Sequence, residues 1–360
     1  MEEEGSDALE MAAQEDEKGK TQKEGINLKM VRVAINGFGR IGRLVLRAGL
    51  KEDSIEFIAI NDLSDTKTLT HLFKYDSTHG RFNGNVEARE NSIVINNKTI
   101  KTYAEKEPEN LPWNKLGIDI VVESTGVYRS KEEVSRHVKA GAKKVLLSAP
   151  FKGKESIKTI VMGVNEDTYK GEDIISNASC TTNCFVPMVS ILDKNFGIVN
   201  GVMTTVHSYT NDQRILDAPH KDLRRARAAS VNIIPTSTGA AEAIGSVLPH
   251  LLGKIHGSAI RVPTPDGSIA MFNCVVKKSV TKEQVNSSFK KASEERMKGI
   301  LEYSEEPLVS TDIIGNPHSC IFDSLLTEVI DNNLVFVVGW YDNEWGYSNR
   351  MIDVINLMSK

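Results

Sequence analysis

Two reactive side chains stand where elements of secondary structure are expected to meet. Cys180 follows a strand-like run and precedes an apolar-periodic stretch, so we expect it at a helix N-terminus, where the dipole and free N–H groups favour a thiolate. His207 ends a second strand-like run. A thiol and a histidine are the minimum for nucleophilic catalysis, because the histidine lowers the thiol pKa and later exchanges a proton with the substrate oxygen.

Other interpretations remain open at these positions. Cys180 and Cys184 have the spacing of half a metal site, but the sequence has neither a second cysteine pair nor a nearby histidine cluster, so no metal is predicted. An isolated cysteine, or a histidine at a strand end, is more often structural than catalytic. Pro187 in the apolar stretch predicts either a kinked helix or a later helix start.

A glycine-rich turn predicts a dinucleotide site. Gly37, Gly39 and Gly42 follow the strand-like run from Val31 and open a helical pattern. Such glycines allow a pyrophosphate to approach the backbone at the helix N-terminus. Asp62 ends the next strand about 20 residues later, where its carboxylate can accept hydrogen bonds from a ribose and repel a 2′-phosphate. The pattern favours NAD over NADP; a βα turn built for packing alone is the alternative.

Three further features are typical of anion receptors. Ser237-Thr238-Gly239 offers hydroxyls and N–H groups at an expected helix start, and Arg261 follows a strand. The run from Asp222 to Arg227 concentrates positive charge in a polar loop. The alternative for most arginines of that run is a solvated or subunit-contact surface.

The elements that must position these residues alternate between strand and helix before residue 179. This order indicates a Rossmann-type, doubly wound α/β domain with a parallel sheet over residues 29–178. The later strands are longer and alternate more, which predicts a second, α+β catalytic domain over 179–345 with a largely antiparallel sheet. The last helical pattern, 346–360, is expected to pack back onto the first domain.

Composition narrows the function classes. The 360 residues carry a formal net charge of −4, so neither nucleic-acid binding nor membrane binding is predicted. The chain has no long apolar run, and its four scattered cysteines are typical of thiols in a reducing compartment, so we expect the cytoplasm. The acidic extension 1–28 is predicted to be disordered, and Met30 could be an alternative start.

Taken together, the motifs resemble those of the glyceraldehyde-3-phosphate dehydrogenase family from about Val31 to the C-terminus. The carrying segments are residues 36–43, 74–80, 178–184, 207–213, 223–229, 235–241 and 340–347. The resemblance implies a phosphorylating, NAD-dependent oxidation of glyceraldehyde 3-phosphate, through a hemithioacetal and then a thioester on Cys180. It also implies a homotetramer, with the loop from Tyr209 to Ala229 reaching a neighbouring subunit's cofactor pocket.

The resemblance assigns roles by position. His207 is the acid–base partner of Cys180, and Thr210, Asp212 and Arg261 correspond to the site of the substrate's own phosphate. The attacking phosphate, or second anion position, is implied to use Ser179, Thr181, Arg225, Thr238 and Gly239. Cofactor contacts are implied for Gly37, Phe38, Gly39, Arg40, Ile41, Gly42, Asp62, Ser148, Asn343 and Tyr347.

Three alternatives stay open on the same fold. Erythrose-4-phosphate dehydrogenase shares the cysteine and histidine, but the intact Ser237 to Ala241 segment favours phosphate over water as the nucleophile. Aspartate-semialdehyde dehydrogenase is disfavoured by the segment from Trp340 to Tyr347. A non-catalytic interaction protein would be expected to have lost Cys180, His207 or Arg261, and all three are present.

Overall fold

The computed structural model of the chain describes residues 30–153 and 155–360. The extension 1–28, predicted to be disordered, lies outside the described residues. Within the described part of the chain, no helix is both long and apolar enough to cross a membrane. The fold class predicted from the sequence, a Rossmann-type sheet followed by a second α+β region, is confirmed.

The first sheet has nine strands in the described residues, in the order β3-β4-β5-β2-β1-β6-β7-β9-β8. Its strands are β1 Val31–Asn36, β2 Ile55–Asn61, β3 Val86–Arg89, β4 Ser92–Ile95, β5 Lys98–Tyr103, β6 Ile120–Glu123, β7 Lys144–Leu147, β8 Lys158–Thr159 and β9 Ile174–Ser176. All pairings are parallel except those of the β3-β4-β5 edge. The carboxyl ends of β1, β2 and β6 therefore lie side by side at the edge where a dinucleotide binds.

The second sheet has eight strands among the described residues and is mixed, with mostly antiparallel pairs. Its strands are β10 Ile198–Ser208, β11 Ile234–Ser237, β12 Ile255–Val262, β13 Ser268–Val276, β14 Leu301–Ser304, β15 Cys320–Asp323, β16 Glu328–Ile330 and β17 Leu334–Tyr341. The pairs β10–β12 and β14–β15 are parallel. The parallel register of β10 and β12 sets His207 opposite Arg261.

Helices cover these sheets. They are α1 Arg40–Gly49, α2 Thr66–Lys74, α3 Trp113–Leu116, α4 Lys131–Lys139, α5 Cys180–Phe196, α6 Ala240–Val247, α7 Lys282–Glu294 and α8 Trp345–Met358. Single 3₁₀ turns occupy Pro108–Asn110, Glu166–Thr168, Pro249–Leu251 and Ser324–Leu326. The apolar face of α8, with Met351 and Ile355, lies in the same core as β1 and α1.

Helix α5 joins the two halves of the fold. It begins at Cys180 and runs through Pro187, so the alternative of a later helix start is wrong. Its buried side chains, including Phe185 and Met188, belong to the core under the second sheet. Cys180, at its N-terminus, packs against that core and also against the core of the first sheet.

Candidate active site

The thiol occupies the first position of α5. The preceding residue, Ser179, caps the helix by accepting a hydrogen bond on its Oγ from the Thr182 N–H at 3.1 Å. The Cys180 Sγ lies 3.5 Å from His207 Nε2, which is within hydrogen-bond reach for sulfur. The fold thus brings together the two residues that the sequence proposed as a catalytic pair.

Arg261 contacts the other side of the imidazole. Its Nη1 lies 2.6 Å from His207 Nδ1 and donates to the Ser208 carbonyl at 2.8 Å. That carbonyl oxygen is itself 2.7 Å from Nδ1. The Arg261 guanidinium can only donate, so it favours the tautomer with a lone pair on Nδ1. The Ser208 carbonyl can only accept, so it favours the tautomer with a proton on Nδ1.

Burial and Arg261 set the protonation of the Cys180–His207 pair. Burial and then the positive charge of Arg261 lower the pKa of His207 to about 3, so the imidazole is neutral in this arrangement. Burial raises the pKa of the Cys180 thiol, and Arg261 acts against that rise. These shifts favour a neutral imidazole beside a protonated thiol, and the positive charge that favours the Cys180 thiolate comes from Arg261.

The thiol opens into a cleft of about 650 Å³ between the two sheets, called here the thiol cleft. Its walls come from the ends of both halves of the fold. Predicted site residues in its lining are Arg40, Ile41, Ser148, Ser179, Cys180, His207, Thr210, Asp212, Arg261, Asn343 and Tyr347.

The cofactor end of this arrangement is shaped by the glycine-rich turn. Gly37 has φ +90°, and a Cβ there would lie 2.6 Å from the Thr125 nitrogen. A Cβ on Gly42 would lie 2.2 Å from the Gly37 carbonyl oxygen. Only glycine fits both positions, and the backbone they leave bare opens α1 as a dinucleotide turn requires.

Asp62 lies against this turn. Its carboxylate accepts hydrogen bonds from the Phe38 N–H at 2.8 Å and the Ser64 N–H at 3.0 Å. Gly39, the N-cap of α1, has no side chain with which to cap the helix, so the first-turn N–H groups receive no hydrogen bond from the cap residue. These residues fit the ribose and pyrophosphate of NAD.

At the nicotinamide end of the site, hydrogen bonds hold the side-chain amide of Asn343 in place. Asn343 Oδ1 accepts hydrogen bonds from the Ser208 hydroxyl at 2.9 Å and the Ser268 hydroxyl at 2.7 Å. Because the oxygen is occupied twice, the Nδ2 donors of Asn343 are the groups left for a carboxamide. Tyr347 donates to the Ala178 carbonyl at 3.0 Å, which holds its ring beside the thiol cleft.

Two of the predicted ligand-binding side chains already form hydrogen bonds with other side chains of the protein. The Arg40 guanidinium donates to Asp76 at 2.6 Å and to Glu344 at 2.9 Å, so its side chain is not free for a pyrophosphate. The Thr181 hydroxyl is buried and lies 2.9 Å from the Tyr341 hydroxyl. Sequence spacing does not reveal these hydrogen bonds, because the partner residues come from distant parts of the chain.

A second cleft, of about 530 Å³, adjoins the thiol cleft and holds part of the predicted second anion position. Arg225 and Gly239 line it, whereas Thr238 lines neither cleft and accepts a hydrogen bond from the Ala240 N–H at 3.2 Å. Arg225 pairs with Asp212 and donates to the Thr236 hydroxyl at 2.9 Å. Asp212 therefore orients an arginine, which is how a carboxylate contributes to an anion site.

Sequence reasoning missed a buried charge cluster between the two sheets. His79 Nε2 lies 3.2 Å from Asp342 and 3.4 Å from Asp266. Although burial opposes it, contact with these carboxylates and Asp76 raises the pKa of His79 to about 9. Burial and then Asp342 raise the pKa of Asp266 to about 8.

This cluster has a mechanical role beside the site. Asp342 also accepts the N–H groups of Glu344 and Trp345, so the cluster fixes the turn that carries Asn343. His79, Asp266 and Glu344 are close enough to share a cation, but the Arg40 guanidinium and the proton on His79 already supply positive charge. The segment 74–80 carries part of the family resemblance, but nothing local in it points to this role.

Comparisons with known proteins agree with the geometry. A family model for the NAD binding domain of glyceraldehyde 3-phosphate dehydrogenase matches residues 31–131, and the C-terminal domain model of the same enzyme matches 179–343.

Curated relatives match nearly their whole length. Glyceraldehyde-3-phosphate dehydrogenase of Geobacillus stearothermophilus is 57% identical over 326 residues, which cover 90% of this chain and 97% of the relative. The enzyme of the same name from Thermotoga maritima is 58% identical over 334 residues, covering 92% and 100%. That of Streptomyces coelicolor is 56% identical over 328 residues, covering 90% and 97%. The chain belongs to the glyceraldehyde-3-phosphate dehydrogenase family.

Proposed function

We propose that this chain oxidises glyceraldehyde 3-phosphate with NAD and inorganic phosphate to give 1,3-bisphosphoglycerate. The observation that carries the proposal is the Cys180 Sγ, 3.5 Å from His207 Nε2, in a cleft that also presents Arg261, Thr210 and Asn343. The family membership and the intact dinucleotide turn support the same reaction and the same cofactor.

Cys180 and His207 carry the covalent chemistry. The sulfur adds to the aldehyde carbon, and His207 passes the thiol proton to the aldehyde oxygen, which gives a neutral hemithioacetal and leaves the imidazole unprotonated. His207 then accepts the hydroxyl proton as the carbon is oxidised to a thioester, with bound NAD supplying the hydride acceptor. The lowered pKa of His207 favours the neutral imidazole, which takes up a proton at Nε2 when that nitrogen carries the lone pair.

The two groups at His207 Nδ1 explain how the lone pair comes to lie on Nε2. A substrate phosphate that engages Arg261 draws its donors away from His207 Nδ1. The Ser208 carbonyl, 2.7 Å away, then remains as the partner of Nδ1 and holds its proton. The Nε2 lone pair is left facing the thiol, so substrate binding prepares the base.

The residues proposed for anions divide between the two clefts. Thr210 and Arg261 face the substrate's own phosphate, and Arg225 and Gly239 serve the attacking phosphate from the second cleft. In the last step a phosphate oxygen adds to the thioester carbon, the carbon–sulfur bond breaks, and the proton lost by phosphate returns to the sulfur. No electrons are exchanged in that step.

The test is NADH formation from glyceraldehyde 3-phosphate with and without phosphate. We expect sustained turnover with phosphate, and one equivalent of NADH per active site without it. Sustained turnover without phosphate would indicate hydrolysis and contradict the phosphorylating reaction. The comparisons do not favour the erythrose 4-phosphate alternative.

We further propose a homotetramer in the cytoplasm. Apolar side chains of the loop 209–229 support assembly, since Ile215, Leu216 and Leu223 are 76 to 81% exposed in the single chain. Light scattering of the purified chain tests the assembly; a monomeric mass at working concentration would contradict it.

The unpaired state of all four cysteines supports a reducing compartment, which agrees with the proposed cytoplasmic location. Cell fractionation tests the compartment, and enrichment outside the cytoplasmic fraction would contradict that assignment.

A further inference from the structure

Arg129 stands where the thiol cleft and the second cleft meet. It lines both, and so do Pro150 and Ala178. None of the motifs in the sequence assigned it a role. Among the described residues it is the basic residue that the two linings share, and it comes from the first half of the fold, whereas Arg225 comes from the second.

The guanidinium is anchored along one side. Its Nε and Nη2 donate to the Pro150 carbonyl at 3.1 and 2.8 Å, and the backbone carbonyl of Arg129 accepts from the Lys152 N–H at 2.8 Å. Its Nη1 donates to no group within the described residues. A half-buried guanidinium held at one edge presents a preoriented pair of donors at the other.

Positive charge gathers around the same junction. Lys152, Lys221 and Arg225 line the second cleft with Arg129. The charge of Arg129, then burial and Lys221, lower the pKa of Lys152, which is the signature of cations crowded together.

Carboxylates only partly offset this charge. Asp222 and Glu242 also line the second cleft, but Asp222 already accepts the Thr236 hydroxyl at 2.8 Å and pairs with Arg225 at 3.5 Å. Asp212, which pairs with Arg225, also opposes the lowering of the pKa of Arg129 and of Lys152. Gly239, which caps α6 without a side-chain hydrogen bond, adds the positive end of a helix to the lining. The second cleft therefore has an excess of positive charge that an anion would neutralise.

We propose that Arg129 is a further binding residue for the attacking inorganic phosphate, which it holds at the junction and directs toward the thioester on Cys180. This inference rests on the proposed function. Arg129 acts on the phosphate before it attacks, so it affects release of the acyl group and not its formation.

The test compares Arg129→Met with Arg129→Lys. We expect the methionine variant to raise KM for phosphate at least tenfold, because a charge-assisted contact to one partner is lost. The NADH burst without phosphate should keep its rate and amplitude. The lysine variant should recover part of the phosphate affinity, since it restores the charge without the planar fork. Arg89→Met, an exposed arginine on β3, is the matched control.

Binding of inorganic phosphate itself, measured by calorimetry on the NAD-bound enzyme, gives a readout that needs no turnover. A tenfold weaker phosphate affinity in Arg129→Met supports the proposal. Unchanged phosphate affinity overturns it, and so does an equal loss in the NADH burst, which would show that Arg129 only maintains the fold. If the wild-type enzyme gives no burst with glyceraldehyde 3-phosphate, the proposed function fails instead, while the calorimetric comparison still decides the role of Arg129.

Discussion

Replacing Arg261 by leucine separates substrate recognition from stability. The guanidinium donates to the Ser208 carbonyl, but that oxygen keeps His207 Nδ1 as a partner after the change. The Arg261 Nε is buried and has no hydrogen-bond partner among the described residues, a state that costs about 1–3 kcal/mol and disappears in the variant. The loss of the hydrogen bond to Ser208 and the removal of the buried, unpaired Nε are of similar size and opposite sign, so the free energy of unfolding should change little.

Activity should change much more. A charge-assisted hydrogen bond contributes about 1.5–3 kcal/mol, which corresponds to a roughly 10- to 150-fold loss in kcat/KM for glyceraldehyde 3-phosphate. Non-phosphorylated glyceraldehyde, which has no group for Arg261 to bind, should lose less. Arg261 contacts His207 and Ser208 rather than Asp266, so an ion pair with Asp266 is not the source of its effect.

The assay measures kcat/KM for both aldehydes, KM for inorganic phosphate, and the melting temperature. Arg89→Leu, which alters an exposed arginine, serves as the control. A lowered melting temperature with unchanged constants for glyceraldehyde 3-phosphate and phosphate would refute the reasoning and assign Arg261 to the scaffold. An equal loss with glyceraldehyde would show that it acts on the chemistry rather than on the phosphate.

Four further changes test other parts of the site. Cys180→Ser should lose oxidation by several orders of magnitude yet still bind NAD, because an alcohol is far less ionised than a thiol; near-normal turnover would contradict the covalent route. Asp62→Ala should narrow the preference for NAD over NADP, and an unchanged ratio of the two kcat/KM values would exclude Asp62 as the discriminator. Gly37→Ala should weaken NAD binding, since its Cβ would lie 2.6 Å from the Thr125 nitrogen; unaltered affinity in a fluorescence titration would show that the turn can shift. The raised pKa of His79, about 9, predicts a contribution to the free energy of unfolding that is complete below its unfolded pKa of about 6.5 and is lost as pH rises through 9. Asp266, whose pKa is raised to about 8, acts in the same direction, so the melting temperature of His79→Gln should fall less steeply with pH over this range than that of the wild type; an equal fall would contradict the assignment to His79.

Local sequence predicted some parts of the site well. The glycine turn and the start of α5 are set by residues close together in the chain, so residue type and spacing are enough to predict them. The family, the fold class, the oxidation of glyceraldehyde 3-phosphate and the use of NAD are confirmed by the comparisons. The individual roles of the site residues and the domain limits stay predictions.

Other parts could not be derived, because they depend on packing between distant segments. The contact of Arg261 with His207 requires the parallel register of β10 and β12, which alternation alone does not specify. Arg40 looked free for a cofactor because Asp76 and Glu344 reach it from elsewhere in the chain. Arg129 belongs to no motif, and its position beside Pro150 and Arg225 depends on the packing of segments far apart in the chain.

The position of Cys180 between two hydrophobic cores has a consequence for motion. Its side chain packs against the core of each sheet, and α5 continues into the second one. Both members of the reactive pair are anchored in the second half of the fold, Cys180 through α5 and His207 through β10. The distance between the Cys180 Sγ and the His207 Nε2 is therefore set within that half, and a displacement of Asp62 and the glycine turn relative to it would leave this distance unchanged.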